Sequence, residues 1–195
     1  FTASKFLWWA RNETEIWQGV VDGTYALGTI DRYLIARLTG GAAHLTDASN
    51  ASRTQLMDLE SGEWDQSLLD AFDIPGTALP KITSSWGEIA TTAPEHFLGV
   101  TAPITGVAGD QQAALFGQLA FKEGESKATY GTGAFILTNT GSRIVSSQHG
   151  LLGTVAWKSP EGEISYALEG SVFVAGASVQ WLRDGLKIID KASDV

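Results

Sequence analysis

The run Pro103-Ile104-Thr105-Gly106-Val107-Ala108-Gly109-Asp110-Gln111-Gln112-Ala113-Ala114-Leu115-Phe116-Gly117 decides the fold class, because it turns from strand to helix around a single carboxylate. Residues Ile104 to Ala108 predict a short strand, and Gln111 to Phe121 an Ala/Leu-rich helix. An Asp at such a junction can serve as an N-cap, its oxygens accepting the unpaired amides of the first turn. It can also act as a general base, since a helix N-terminus favours the ionised carboxylate. Spacing alone leaves both roles open for Asp110.

Further on the chain reads Thr129-Tyr130-Gly131-Thr132-Gly133-Ala134-Phe135, a second strand end with glycines on either side of a hydroxyl. Glycines here allow a tight hairpin turn with positive φ. Equally, the amides of such a turn and the Thr132 hydroxyl can face phosphate oxygens, with no side chain to block close approach. The stretch is neither a Walker P-loop, which needs Gly-Lys-Ser/Thr, nor the dinucleotide fingerprint. An acid and a phosphate-cradling turn, both delivered by strand ends, are what phosphoryl transfer to an alcohol requires.

Composition narrows the class. The 195 residues, 44% hydrophobic and 18% charged, suffice for one sizeable globular core or for pieces of two. A net charge of -9 with 13 dispersed Lys and Arg argues against a nucleic-acid partner. With no Cys there is neither a disulfide framework nor a thiolate metal site, which suits a reducing cytoplasm. No apolar run approaches the roughly 20 residues that cross a bilayer, so no membrane partner is expected. Phe1 is no initiator, and Val174 to Ile189 is still helical in character close to Val195, so an internal fragment of a longer protein is expected.

Periodicity predicts a largely buried helix over Thr2 to Asn12, a second over Glu13 to Val21, a short strand at Tyr25 to Leu27 and a helix over Ile30 to Leu38. A strand follows at Ala43 to Leu45, then a polar run from Thr46 to Thr54 rich in groups that bond the local backbone. Gln55 to Leu59 reads as a strand, Trp64 to Phe72 as a helix and Thr83 to Pro94 as irregular. Strands dominate after Lys127: Ala128 to Tyr130, Phe135 to Asn139, Leu152 to Trp157 and Ile164 to Glu169, the last two joined by the turn Ser159-Pro160-Glu161-Gly162. A final helix is expected over Val172 to Leu186, and the change of texture near residue 120 marks a domain boundary.

Other residues carry weaker signals. The small residues Ala175 to Ser178 suit close helix packing, or close approach of a nucleotide. His44, His96 and His149 lack metal-ligand spacing. The Trp residues read as core mass, and Gly-x-Ser-x-Gly is absent.

Taken together, the chain resembles the FGGY family of carbohydrate kinases, most closely its glycerol-phosphorylating branch. The resemblance is carried in order by Thr2-Ala3-Ser4-Lys5-Phe6-Leu7-Trp8, Gly28-Thr29-Ile30-Asp31, Thr46-Asp47 with Asn50 to Thr54, Asp73-Ile74-Pro75, Gly106 to Gln118, Thr129 to Gly133, Asn139-Thr140-Gly141, Ala167 to Gly170 and Gln180 to Asp184. It departs at Trp9, where an aliphatic residue is usual, and at Ala48, where a glycerol-touching Tyr is common.

The resemblance implies an α/β, actin-like ATPase (ribonuclease H-like) fold, the fragment spanning the end of the first domain (1–119) and the start of the second (120–195). It implies ATP and Mg2+ as cofactors, glycerol as the small polyol substrate and a cytoplasmic homo-oligomer, dimer or tetramer, at full length. Asp110 takes the place of the catalytic base, beside the metal; Gln111 and Phe135 fall at acceptor positions, as does Ala48 where the Tyr would stand. Thr132 with Gly131 and Gly133 matches the phosphate turn, and Gly176 and Gln180 the nucleotide site. The phosphate loop, an Arg-Glu pair and the adenine half would lie outside this fragment, which alone is expected to be inactive. Ala48 keeps a kinase for xylulose or erythritol as the alternative, and an actin-like nucleotide switch without a metabolite acceptor as another.

Overall fold

The computed structural model describes residues 1–195. Its contacts divide the chain into two compact units, Phe1–Gly109 with Thr154–Ser165, and Asp110–Gly153 with Tyr166–Val195.

The first unit begins with three helices, α1 (Thr2–Asn12), α2 (Thr14–Val21) and α3 (Ile30–Leu38). Ala3, Phe6 and Ala10 form one face of α1 and meet Trp17 and Val20 of α2 in an apolar core that also holds Leu27, Leu56 and Leu69. A fully buried leucine such as Leu56 contributes about 1.5–3 kcal/mol by leaving water. The expectation of a largely buried α1 is corrected: Trp8 and Trp9 are 52% and 41% exposed, because they fall off the face that Ala3 and Phe6 turn inward. Tyr25 to Leu27 is not a strand; Leu27 donates one backbone bond to Ala78, with no ladder beyond it.

Strand β1 (Leu45–Asp47) starts later than its expected range and pairs in parallel with β2 (Lys81–Thr83). Helix α4 (Ala48–Ala51) follows β1 directly. Its cap is Asp47, wholly buried, which accepts from Ser49 N, Ser49 Oγ, Asn50 N, Asn50 Nδ2 and Ser85 Oγ at 2.6–3.0 Å. Burial pushes this carboxyl above its ordinary value, and those hydrogen bonds pull the other way. Asp31 is buried next to it, accepting from Thr29, from Thr46 Oγ1 at 2.7 Å and from the Asp47 amide at 3.3 Å.

The expected strand at Gln55 to Leu59 shrinks to a single bridge between Met57 and Trp64, since Gln55 sits at φ 65 and breaks the extended run. Helix α5 (Gln66–Ala71) is shorter than expected because Asp65 caps it, accepting from Ser67 N at 2.8 Å and Leu68 N at 3.2 Å. Trp64 is left outside, donating Nε1 to the Pro80 carbonyl at 2.7 Å.

Thr83 to Pro94, expected to be irregular, contains β3 (Trp86–Thr91), which pairs antiparallel with β4 (Pro103–Gly106). Thr92 closes this hairpin: its Oγ1 donates to the Val100 carbonyl at 3.0 Å and accepts from Ala102 N at 2.8 Å. A register shift between Trp86 and Ala90, with Gly87 at φ 108, hides the alternation that would have announced β3.

In the second unit, α6 (Asp110–Gly117) stops before Phe121, since Leu119 turns left-handed at φ 60 and Ala120 N bonds back to Leu115 O at 3.2 Å. Strands β5 (Ser126–Tyr130), β6 (Ala134–Gly141), β7 (Leu152–Lys158) and β8 (Ile164–Val172) form a sheet of order β5-β6-β8-β7, of which Thr154–Ser165, most of β7 and the start of β8, counts with the first unit. The turn at 159–162 is a hairpin as expected, with Ser159 N donating to Glu163 O at 2.8 Å. The expected helix from Val172 begins instead at α7 (Gly176–Gln180) and widens into a π-type turn over Trp181–Gly185. Residues up to Val172 are held in β8 by Ala134, which takes precedence over their helical periodicity.

Candidate active site

Asp110 is the first residue of α6 and faces solvent. It does not cap the helix in the manner of Asp47 or Asp65. Its Oδ1 accepts the amide of its own neighbour, Gln111, at 2.9 Å, and Oδ2 accepts Gln111 Nε2 at 3.3 Å. The carboxylate therefore keeps accepting capacity for a ligand hydroxyl. No group of three or more His, Asp or Glu side chains is placed to hold a metal.

Gln111 is half-buried, and its Oε1 accepts from Lys127 Nζ. Lys127 also donates to Thr129 Oγ1 at 3.0 Å. Helix α6 lies on β5 and β6, and on β6 the half-buried Phe135 pairs with Thr129 across the ladder. Burial lowers the Lys127 ammonium from its ordinary value, opposed by the charges of Glu169 and Asp110.

The turn from Gly131 to Gly133 joins β5 to β6. Its carbonyls are already taken: Gly176 N donates to Gly131 O at 2.9 Å, and Ala175 N and Ala177 N to Thr132 O at 2.8 and 3.2 Å. Thr132 itself is exposed. The expected reason for the glycines is corrected. None of Gly131, Gly133 and Gly176 has positive φ; the two that are required are required for space. A Cβ on Gly133 would lie 2.7 Å from Val172 O, and one on Gly176 2.5 Å from Gly131 O. The Gly131–Gly133 turn and the start of α7 are thus pressed backbone to backbone, with no room for a methyl group on Gly176. Gln180 is exposed one helical turn beyond Gly176, and its side chain hydrogen-bonds Asp184, whose carboxyl is held low chiefly by Arg183.

The second unit therefore carries Asp110, Gln111, Phe135, Thr132 with its glycines, Gly176 and Gln180. Ala48 is in the first unit, wholly buried, and its methyl presents no surface to solvent. Sequence reasoning passed over Lys127. Its signal was a charged residue in the same alternation class as Thr129, two places before it on a strand whose partner row is apolar.

Residues 1–117 match the model of the FGGY family of carbohydrate kinases, N-terminal domain. The chain is 53% identical over 194 residues to a glycerol kinase of Geobacillus sp. (strain WCH70), covering 100% of this chain and 39% of that relative. Among solved structures it matches the Plasmodium falciparum glycerol kinase with ADP at a TM-score of 0.93 and 44% identity, covering 100% of this chain and 38% of that one. A xylulose kinase from Lactobacillus acidophilus matches at a TM-score of 0.79 and 24% identity, covering 99% and 38%, which is a likeness of fold. The chain thus spans about two fifths of the length of the relatives it matches.

Proposed function

The chain belongs to the FGGY family of carbohydrate kinases, and on that premise we propose that the complete protein transfers the γ-phosphoryl group of ATP to glycerol, giving sn-glycerol 3-phosphate and ADP. Its fold is the mixed α/β, actin-like fold of that family. We assign residues 1–119 to the later part of the N-terminal domain, supported by the family match over 1–117, and 120–195 to the start of the C-terminal one. No helix is long and apolar enough to cross a membrane.

The reading is carried by one observation: an exposed carboxylate bonded only to its neighbour Gln111 shares a compact unit with a glycine-bracketed hydroxyl turn in which Gly133 admits no side chain. In the reaction, Asp110 accepts the proton of a terminal glycerol hydroxyl. That oxygen forms a bond to the γ-phosphorus as the bond to the bridging oxygen of ADP breaks. Gln111 orients the acceptor through its amide and Phe135 packs on its carbon side. With Ala48 wholly buried, the acceptor contacts supplied by this chain fall to these three residues. Thr132 Oγ1 and the amides of its turn face the charge gathering on the transferred group. Gly176 and Gln180 line the nucleotide side. Asp110 would offer one carboxylate to the Mg2+ that accompanies ATP, and that ion would supply neutralisation of phosphate charge.

ADP release from the complete protein, measured across a panel of polyols and ketoses, tests the proposal. Glycerol is expected to give the highest kcat/KM; preference for a larger sugar would replace glycerol, and phosphate release without any acceptor would replace the kinase by a nucleotide switch.

A further inference from the structure

The sheet face that carries Phe135 also carries a buried cation that the proposed transfer leaves unused. Lys127 on β5 is 4% exposed. Its cross-strand partner is Leu137 on β6, whose partner on β8 is Glu169, so one inward row holds an ammonium, an apolar side chain and a carboxylate. Thr129 and Phe135 occupy the next row of the same face, because strand side chains alternate with period two. Nζ of Lys127 donates to Gln111 Oε1, to Thr129 Oγ1 at 3.0 Å and to the Phe135 carbonyl at 3.5 Å. Gln111 passes the polarity on, donating Nε2 to Asp110 Oδ2 at 3.3 Å. A carboxamide accepts at one end and donates at the other. With an ammonium holding its oxygen, the NH2 end is the one turned toward Asp110.

We infer that Lys127 is a positioning residue for the alcohol acceptor: it fixes the amide of Gln111 with its donors toward Asp110, and so sets both acceptor affinity and the direction of the base. The inference rests on the phosphorylation of an alcohol proposed above. The charged groups that face Lys127 are Asp110 from α6 and Glu169 from β8, and β6 presents the carbonyl of Phe135.

The test uses the complete protein with Lys127→Met, which keeps the length of the side chain and removes its charge. The KM for the acceptor is expected to rise about tenfold or more, the scale of one lost charge-assisted hydrogen bond, while the KM for ATP stays unchanged. A crystal structure of the variant should show the Gln111 amide turned from Asp110. Lys127→Arg retains the charge and displaces the amide, so it should not restore the acceptor KM. If the Met variant does not fold, the Arg variant decides. An unchanged acceptor KM would overturn the inference. So would an equal rise in both KM values with a lower Tm, which marks a merely structural role. If the wild type releases ADP with no polyol, the phosphorylation reading fails by itself, and the orientation of Gln111 in the variant structure still decides the role of Lys127.

Discussion

Two of the aspartates that stand at the start of helices in this chain do opposite work. Asp47, at the head of α4, has no exposed surface and accepts five donors. Asp110, at the head of α6, is exposed and bonds only its neighbour Gln111. The same residue type in the same local position is a structural fixture in one unit and a candidate reactive group in the other. What differs is how much accepting capacity the fold has already consumed.

The sharpest way to break the comparison is Asp110→Asn in the complete protein. Loss of a general base should lower kcat by about 10²–10⁴-fold, with ATP affinity and Tm unchanged. Near-normal turnover would reduce Asp110 to a helix-start residue. The reciprocal change, Asp47→Ala, should leave the acceptor and nucleotide KM values of the surviving folded protein alone and lower stability by about 3 kcal/mol, because buried donors lose their acceptor. Urea unfolding reads that loss; a silent variant would mean that Asp47 is no more committed than Asp110.

A smaller effect separates space from conformation in the phosphate turn. Gly176→Ala places a methyl against the Gly131 carbonyl and should destabilise by about 1–3 kcal/mol while raising the KM for ATP more than that for glycerol. Equal effects on both KM values would uncouple α7 from the nucleotide. The smallest effect is one of pH. His44 is lowered from its ordinary value by burial first and then by the charge of Arg32, whose Nε donates to its Nδ1 at 2.6 Å. A depressed folded pKa gives stability that is present above pH 6.5 and lost as pH falls through the folded value. Denaturant midpoints should therefore fall on acidification through this range, and His44→Gln should flatten the fall. Asp47 works in the opposite direction: its raised pKa gives stability that is present below the ordinary carboxyl value of 3.8 and lost as pH rises through the folded one.

Much of the fold could be read residue by residue. Helices α1 to α3 and strands β5 to β8 follow from apolar spacing, and the Ser159 to Gly162 turn from its own chemistry. β3 escaped because its register shift breaks alternation, and α7 was misplaced because Val172 is claimed by a strand partner distant in sequence. The importance of Gly176 was visible as a small residue, yet its reason, a backbone 2.5 Å away from an added Cβ, belongs to a loop more than forty positions earlier. Lys127 was passed over for the same kind of reason: nothing local tells a strand lysine that reaches water from one that turns inward to a carboxamide on a helix.

The sequence by itself determined where strand gives way to helix at Asp110, where glycines bracket Thr132, and the ordered motifs that identify the family, since these depend on neighbours along the chain. Tertiary structure alone decided which aspartate is sealed and which is open, why Gly133 and Gly176 admit no side chain, and what the Lys127 ammonium holds. Those outcomes depend on partners brought close by folding, and hydrogen-bond saturation and steric exclusion act over a few ångströms of space regardless of the distance along the chain.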